Sequence, residues 1–315
     1  MLTRIAAVVL LTALYACDSP TGPSDKSATL EAQLPWDRLH GRLAFITDGC
    51  GGRAHGCAGT IHIADVGSRS VRELVQLSGL TATRSVVFAP DGGSVTASVF
   101  SANPAGDNLA YRLVSVALDD PEPVLLRPDP PFEHQANFGW SRDGRLALVR
   151  TVQLDDGTYR SDAITVDDLV LPPVDGWPAG LSRITWSPDG SEIVMAMRTQ
   201  RPAPLLYAIS VPAGIVTDLM ADAYSSDDYA SEPDYSPDGA RIAYTESTGG
   251  AIWLVDRESG TRTRLTIGND RAPIWAPDGS MVLFIRDGQP HIADVGTGAV
   301  TRLTRQQVTA AAWAW

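Results

Sequence analysis

An aromatic residue followed by a short Asp-Gly turn occurs five times: Phe88-Ala-Pro-Asp-Gly92, Trp140-Ser-Arg-Asp-Gly144, Trp186-Ser-Pro-Asp-Gly190, Tyr235-Ser-Pro-Asp-Gly239 and Trp275-Ala-Pro-Asp-Gly279. The turn aspartates lie 52, 46, 49 and 40 positions apart. A turn that recurs at this spacing means one supersecondary unit built several times, each the length of a four-stranded propeller blade. In the turn, Pro presets φ for the first central position, Asp accepts hydrogen bonds from the amides that follow, and Gly supplies a left-handed residue. Each copy therefore predicts a strand, a tight turn and a second strand. Residues 94–100, 145–151, 192–198, 241–246 and 281–286 have the composition of those second strands.

The other half of the unit repeats too. Ile61-His-Ile-Ala-Asp-Val-Gly67 and Pro290-His-Ile-Ala-Asp-Val-Gly296 are near copies, Ile252-Trp-Leu-Val-Asp256 belongs with them, and each leads through a polar turn into a further strand at 71–77, 300–304 and 262–266. A unit is thus four strands, A to D, with the Asp-Gly turn between A and B. The first unit lacks an A strand, and the chain ends on an unassigned one, residues 308–315, with Trp313 placed 38 residues after Trp275. Pairing that C-terminal strand with the N-terminal blade closes a ring and leaves no open edge at the seam. The expected fold is all-β: a six-bladed β-propeller over 39–315, one domain and monomeric.

An aromatic with Ser-Pro-Asp-Gly, a later Ile-Trp-Leu-Val-Asp strand and an Arg-Leu-Thr strand together resemble the WD-like repeat of the TolB propeller family, over residues 40–315. The family's namesake carries an α/β domain before its propeller, whereas here only residues 18–38 precede the first blade. The contacts of that extra domain are therefore not carried over. The resemblance implies a non-enzymatic protein-binding scaffold in the bacterial envelope, with a peptidoglycan-associated lipoprotein as one conceivable partner.

The N-terminus reads as an export signal. Arg4 is a minimal positive region, residues 5–14 are apolar but too short for a stop-transfer span, and Leu14-Tyr-Ala-Cys17 resembles a lipobox whose Cys17 takes the lipid. The alternative is ordinary secretion with cleavage nearby. On the lipoprotein reading, 1–16 is removed and 17–38, polar and rich in Pro, Ser and Gly, is a flexible tether. The body would then sit in the envelope, facing the periplasm or the cell surface, and touch membrane only through its anchor. Export also bears on Cys50 and Cys57, which an oxidising compartment pairs as a disulfide. The rival, a metal site with His55, lacks a fourth ligand.

A formal charge of −12, or −13 without residues 1–16, disfavours nucleic acid and leaves basic proteins or cations as partners. No Gly-x-Ser-x-Gly elbow, phosphate loop, dinucleotide fingerprint or His-Glu-x-x-His is present, so no residue is assigned as catalytic and none to a metal. Function is expected on the irregular rim opposite the Asp-Gly turns, among 48–59, 101–109, 152–160, 199–204, 127–137, 221–231, 267–272 and 305–308. Asp222, Asp227, Asp228 and Tyr229 offer oxygen ligands for a divalent cation or a patch for a basic partner, and His134, Asn137, Asn269, Asp270 and Arg271 occupy equivalent connectors. The same residues also fit a solvated acidic loop and ordinary polar connectors. His62 and His291 align with Trp253, a pattern of packing between blades. The alternative function is a propeller lyase or hydrolase acting on glycan or peptide in the channel mouth.

Overall fold

A computed structural model describes residues 29–48, 58–81, 85–102, 109–126, 133–153, 159–171, 177–178, 183–198, 205–220, 229–246 and 250–314. Blade 1 contains β1 (Arg42–Asp48), β2 (Ala58–Asp65) and β3 (Ser70–Thr81), and blade 2 contains β4 (Val86–Phe88), β5 (Ser94–Ala102), β6 (Leu109–Ala117) and β7 (Val124–Leu125). Blade 3 is β8 (Glu133–Trp140), β9 (Leu146–Gln153), β10 (Tyr159–Val166) and β11 (Leu169–Val170). Blade 4 is β13 (Thr185–Trp186), β14 (Glu192–Arg198), β15 (Leu205–Ser210) and β16 (Val216–Asp218), with a short β12 (Trp177–Pro178) also pairing β14. Blade 5 is β17 (Ala230–Tyr235), β18 (Arg241–Glu246), β19 (Ala251–Asp256) and β20 (Arg262–Arg264), and blade 6 is β21 (Asp270–Trp275), β22 (Met281–Arg286), β23 (Gln289–Asp294) and β24 (Val300–Arg302).

Closure follows the predicted route. β25 (Val308–Ala314) pairs antiparallel with β1, placing Trp313 opposite Leu43 and Ala312 opposite Ala44. It thereby supplies the inner strand that blade 1 lacks. Blades 1 and 2 also run together as one sheet through a single Thr81–Phe100 pair.

The aromatics before the turns join neighbouring blades. The Trp140 indole donates to Thr96 Oγ1 of blade 2 (2.9 Å), Trp186 to Gly139 O of blade 3 (2.9 Å) and Trp275 to Asp234 O of blade 5 (3.1 Å). The Tyr235 hydroxyl donates to Glu192 of blade 4 and accepts from Arg257 at 2.7 Å. Each large ring thus fills the wedge between sheets and satisfies its polar atom on the preceding blade. Arginines add to the seam, with Arg145 over the Trp186 ring at 4.8 Å and Arg241 over Trp275 at 5.0 Å.

Two expectations need adjustment. His62 and His291 stack on rings of their own blade, Phe45 at 5.3 Å and Phe284 at 5.8 Å, and Trp253 lies opposite Tyr244 in the same register. The packing is therefore cross-strand within a blade. The folded body also starts before residue 39. Leu30, Leu34, Trp36 and Leu39 join the apolar cluster of blades 1 and 6, Glu31 N donates to Leu303 O (2.9 Å), and the Glu31 carboxylate receives Arg302 (2.8 Å) and Arg305 (3.2 Å). Arg38 adds an ion pair to Asp294. Apolar side chains spaced through residues 30–39 turn the end of the expected tether into a strap on blade 6.

Candidate functional site at the channel mouth

The inner strands run toward the Asp-Gly turns, and their last residues surround the ring axis. The turns themselves are built alike. The hydroxyls of Ser141, Ser187 and Ser236 donate to the turn aspartates at 2.5–2.6 Å and accept the amides of Arg145, Glu192 and Arg241 at 2.8–3.1 Å. Asp91, Asp189, Asp238 and Asp278 each take the amide two residues on at 2.8–3.0 Å. These bonds hold the Asp189 carboxyl down to about 2, chiefly through Ser187, and also lower Asp143 and Asp238. The turn glycines have φ between +65° and +90°, a region that side chains rarely adopt. The repeated aspartates are thus occupied with their own turns.

Within this ring of turns lies a cavity of about 330 Å³ lined by all six inner strands. Its walls are aromatic and proline-rich at the rim, through Trp140, Tyr235, Pro90, Pro188, Pro237 and Pro277. Two charged side chains stand deeper. Arg183, just before β13 in blade 4, donates to Ala311 O of β25 at 3.2 Å, so it reaches across the axis to the opposite blade. It also faces Asp234 of β17, with Nη1 3.6 Å from Oδ1. Asp234 Oδ2 accepts the Trp275 amide at 2.8 Å. Burial pushes the Asp234 carboxyl up to about 6, against the opposing pull of Arg183 and the Trp275 amide. At the rim, Arg142 of blade 3 donates to Pro237 O of blade 5 at 2.9 Å and so spans blade 4.

Chemically, this is a half-open site with an ion pair and apolar rings on its walls and one guanidinium at its rim. Such a site suits recognition of a segment carrying both apolar and charged or amide groups. Among the described residues, no three His, Cys, Asp or Glu side chains come together as metal ligands.

The residues singled out on the opposite rim are more scattered. Asp222, Asp227, Asp228, Cys17, Cys50 and Cys57 lie outside the described residues, and Tyr229 is half-buried just before β17. His134 and Asn137 fall on β8, opposite Thr151 and Val149. The Asp270 carboxylate is buried and forked by Arg286 at 2.6 and 2.8 Å, Asn269 donates to Asp287 Oδ1 at 3.4 Å, and Arg271 is exposed. Asn269, Asp270 and Arg271 are thus neighbours on the rim of blade 6, away from the cavity.

Arg183, Asp234 and Arg142 are the residues that sequence reasoning passed over, although the repeat contained a signal for two of them. Arg142 replaces the proline found in the other four turns. The position before each aromatic holds Val87, Gly139, Thr185, Ile274 and Ala312 in the other blades, and only Asp234 is charged there.

No family model matches the sequence. The fold is similar to that of TolB from Acinetobacter baumannii, with a TM-score of 0.63 and 18% identity over 87% of this chain and 66% of that one. A TolB-assigned chain from Agrobacterium tumefaciens gives 0.56 and 19%, over 86% and 92%. A chain of a nidogen/laminin complex gives 0.61 and 10%, over 87% and 99%. This chain therefore spans just under two thirds of the Acinetobacter protein. At such identities the likeness is one of fold: the chain has the propeller architecture seen in the TolB structures.

Proposed function

We propose that this chain is a membrane-tethered envelope lipoprotein whose propeller is a non-enzymatic scaffold that holds a segment of a protein partner at the channel mouth. The observation that carries this reading is the cavity with the Arg183–Asp234 pair on its wall and Arg142 at its rim. Arg183 and Asp234 place charge of both signs on the wall of the cavity, where a partner's backbone amide or charged side chain can meet it. The TolB-like fold supports a scaffold role, and the nidogen/laminin chain is an instance of a similar shape in a protein complex. The lipobox-like residues before Cys17 support the anchor, and an acidic body favours a partner with a basic surface.

The test is crosslinking in cells from a photoreactive residue at Arg142, with a second at Thr301 on the outside of blade 6 as reference. A discrete adduct from the mouth, absent from position 301 and lost when Asp234→Arg fills the cavity, supports the reading. Equal adducts from both positions, or none, overturn it. Loss of lipid labelling in Cys17→Ser checks the anchor independently.

A further inference from the structure

Seven large apolar side chains are exposed among the described residues, and six of them share one structural position. Val124 and Leu125 form β7, Leu169 and Val170 form β11, and Ile215 precedes β16, which Val216 begins. These are the outermost strands of blades 2, 3 and 4, each the first stretch after the turn that leaves the third strand. Their exposures run from 37 to 66%. Among the described residues each strand pairs on one side only, so its outer edge is open to them. Keeping the strands to two or three residues limits unwanted strand addition, but it does not cover the side chains.

The other half of the ring differs at this position. β20 of blade 5 reads Arg262-Thr-Arg264, β24 of blade 6 ends in Arg302, and β3 of blade 1 carries Arg72. Charge separates the halves as well. The turns leading into β7 and β11 expose Asp119, Asp120, Glu122 and Asp168, and residues 118–126, 166–171 and 210–220 contain no Lys or Arg. Blades 2 to 4 thus expose apolar outer strands, bordered by acid on blades 2 and 3, and blades 5, 6 and 1 carry arginine, with Arg72 of blade 1 reaching Leu118 O at the edge of blade 2.

We propose that the outer arc of blades 2 to 4 docks a protein partner presenting an apolar patch bordered by lysine or arginine. Charge complementarity selects this occupant. A second copy placed arc to arc would set like carboxylates against each other, and an anionic lipid surface would meet the same repulsion. The chain's own N-terminal segment docks on blade 6, across the ring from blade 3. The arc therefore faces away from the point where an anchor would join the body, which leaves it open to a partner while the protein is tethered. This surface is separate from the channel mouth, and its test does not depend on it.

The probe is a synthetic β-hairpin with valines on one face and lysines at their border, titrated into the purified protein, with a glutamate-bordered hairpin as control. The lysine hairpin is expected to bind, to weaken as salt rises, and to slow amide exchange in β7, β11 and β16. Val124→Ser, Val170→Ser and Ile215→Ser combined should weaken it by about tenfold or more, since apolar contact is lost on all three blades. A second variant, Asp119→Asn with Asp120→Asn, Glu122→Gln and Asp168→Asn, changes only exposed groups. It should erase the preference for the lysine hairpin. The proposal is overturned if both hairpins bind alike, if either variant binds like wild type, or if the protected amides lie at the channel mouth. Protection of these strands by phosphatidylcholine vesicles but not by the hairpin would also overturn it and assign the arc to lipid.

Discussion

Asp270 of blade 6 and Asp234 of blade 5 are both removed from water beside an arginine, but they are held in opposite ways. The Asp270 side chain is 0% exposed, and Arg286 grips it with two parallel bonds of 2.6 and 2.8 Å while also donating to Ile267 O. That fork raises the Arg286 pKa, chiefly through its hydrogen bonds to Asp270. Asp234 instead divides its bonds between neighbouring blades, with Arg183 and Thr185 of blade 4 bonding its side chain and the Trp275 amide of blade 6 donating to Oδ2 at 2.8 Å. A buried carboxylate that is fully paired ties one strand to its neighbour, as Asp270 on β21 does with Arg286 on β22. One whose bonds come from the blades on either side stands on the channel wall instead. The sequence reading looked to Asp270 for binding, whereas the residue that lines the cavity is Asp234.

The sharpest way to break this comparison is to remove each carboxylate's charge in turn. Asp270→Asn keeps the shape but strips the fork, leaving Arg286 with partial access to water. It should destabilise the fold by about 2–3 kcal/mol in urea denaturation, near the low end for breaking a buried pair. A loss below about 0.5 kcal/mol, the size of an ordinary surface substitution, would show that the fork is not structural. Asp234→Asn should act through pH. Because burial raises the folded pKa to about 6, the folded protein holds a proton between about pH 4 and 6 that the unfolded chain has released. The group is therefore neutral in both states below that window, and wild type loses stability as pH rises through it, by roughly 3 kcal/mol. The variant should lack this slope. Identical pH profiles for wild type and variant would mean that Asp234 is solvated, and the contrast with Asp270 would collapse.

The scaffold was far more legible in the sequence than the site, and the reason is physical. A propeller repeats its turn because five blades need the same aspartate and the same left-handed glycine, three of them with a serine bonded to that aspartate, so Asp189 and Gly190 recur with their partners. The ring closure was equally readable, since an unpaired final strand and a blade lacking its first strand require each other. Arg183 and Asp234, by contrast, are 51 positions apart and meet only because adjacent inner strands face the same channel. The strap at residues 30–39 was hidden for a different reason. Its leucines are diluted by polar residues, and only blade 6 supplies the surface that makes them a packing stripe. Asp270 was misleading because a connector aspartate looks solvated until its Arg286 partner, sixteen residues on, is placed.

Two smaller effects sharpen the line between scaffold and mouth. Arg145→Ala removes a guanidinium from over Trp186 and its 2.8 Å bond to Gly190 O, while Arg241→Ala removes only the stack on Trp275 among the bonds that join blades. The first should cost about 1.5 kcal/mol and the second about 0.5–1 kcal/mol in chemical denaturation. The two seams are separate, so the double variant should lose the sum. A clear departure from additivity would mean that the blades are coupled around the ring.

Arg142→Pro should have the smallest effect on stability and the most telling one on binding. The blade 3 turn closes like its relatives, with Gly144 N donating to Ser141 O at 3.2 Å where Gly190 N donates to Ser187 O at 2.9 Å. Proline therefore fits the backbone and restricts the unfolded chain, which should offset the lost bond to Pro237 O and leave unfolding within about 0.5 kcal/mol of wild type. A residue retained only for the turn would be replaceable without consequence. If Arg142 instead contacts the partner at the mouth, the proline variant should fold normally and still lose crosslinked or affinity-captured partner. Normal capture by a normally folded Arg142→Pro protein would return Arg142 to the scaffold and leave recognition to the deeper charges, Arg183 and Asp234.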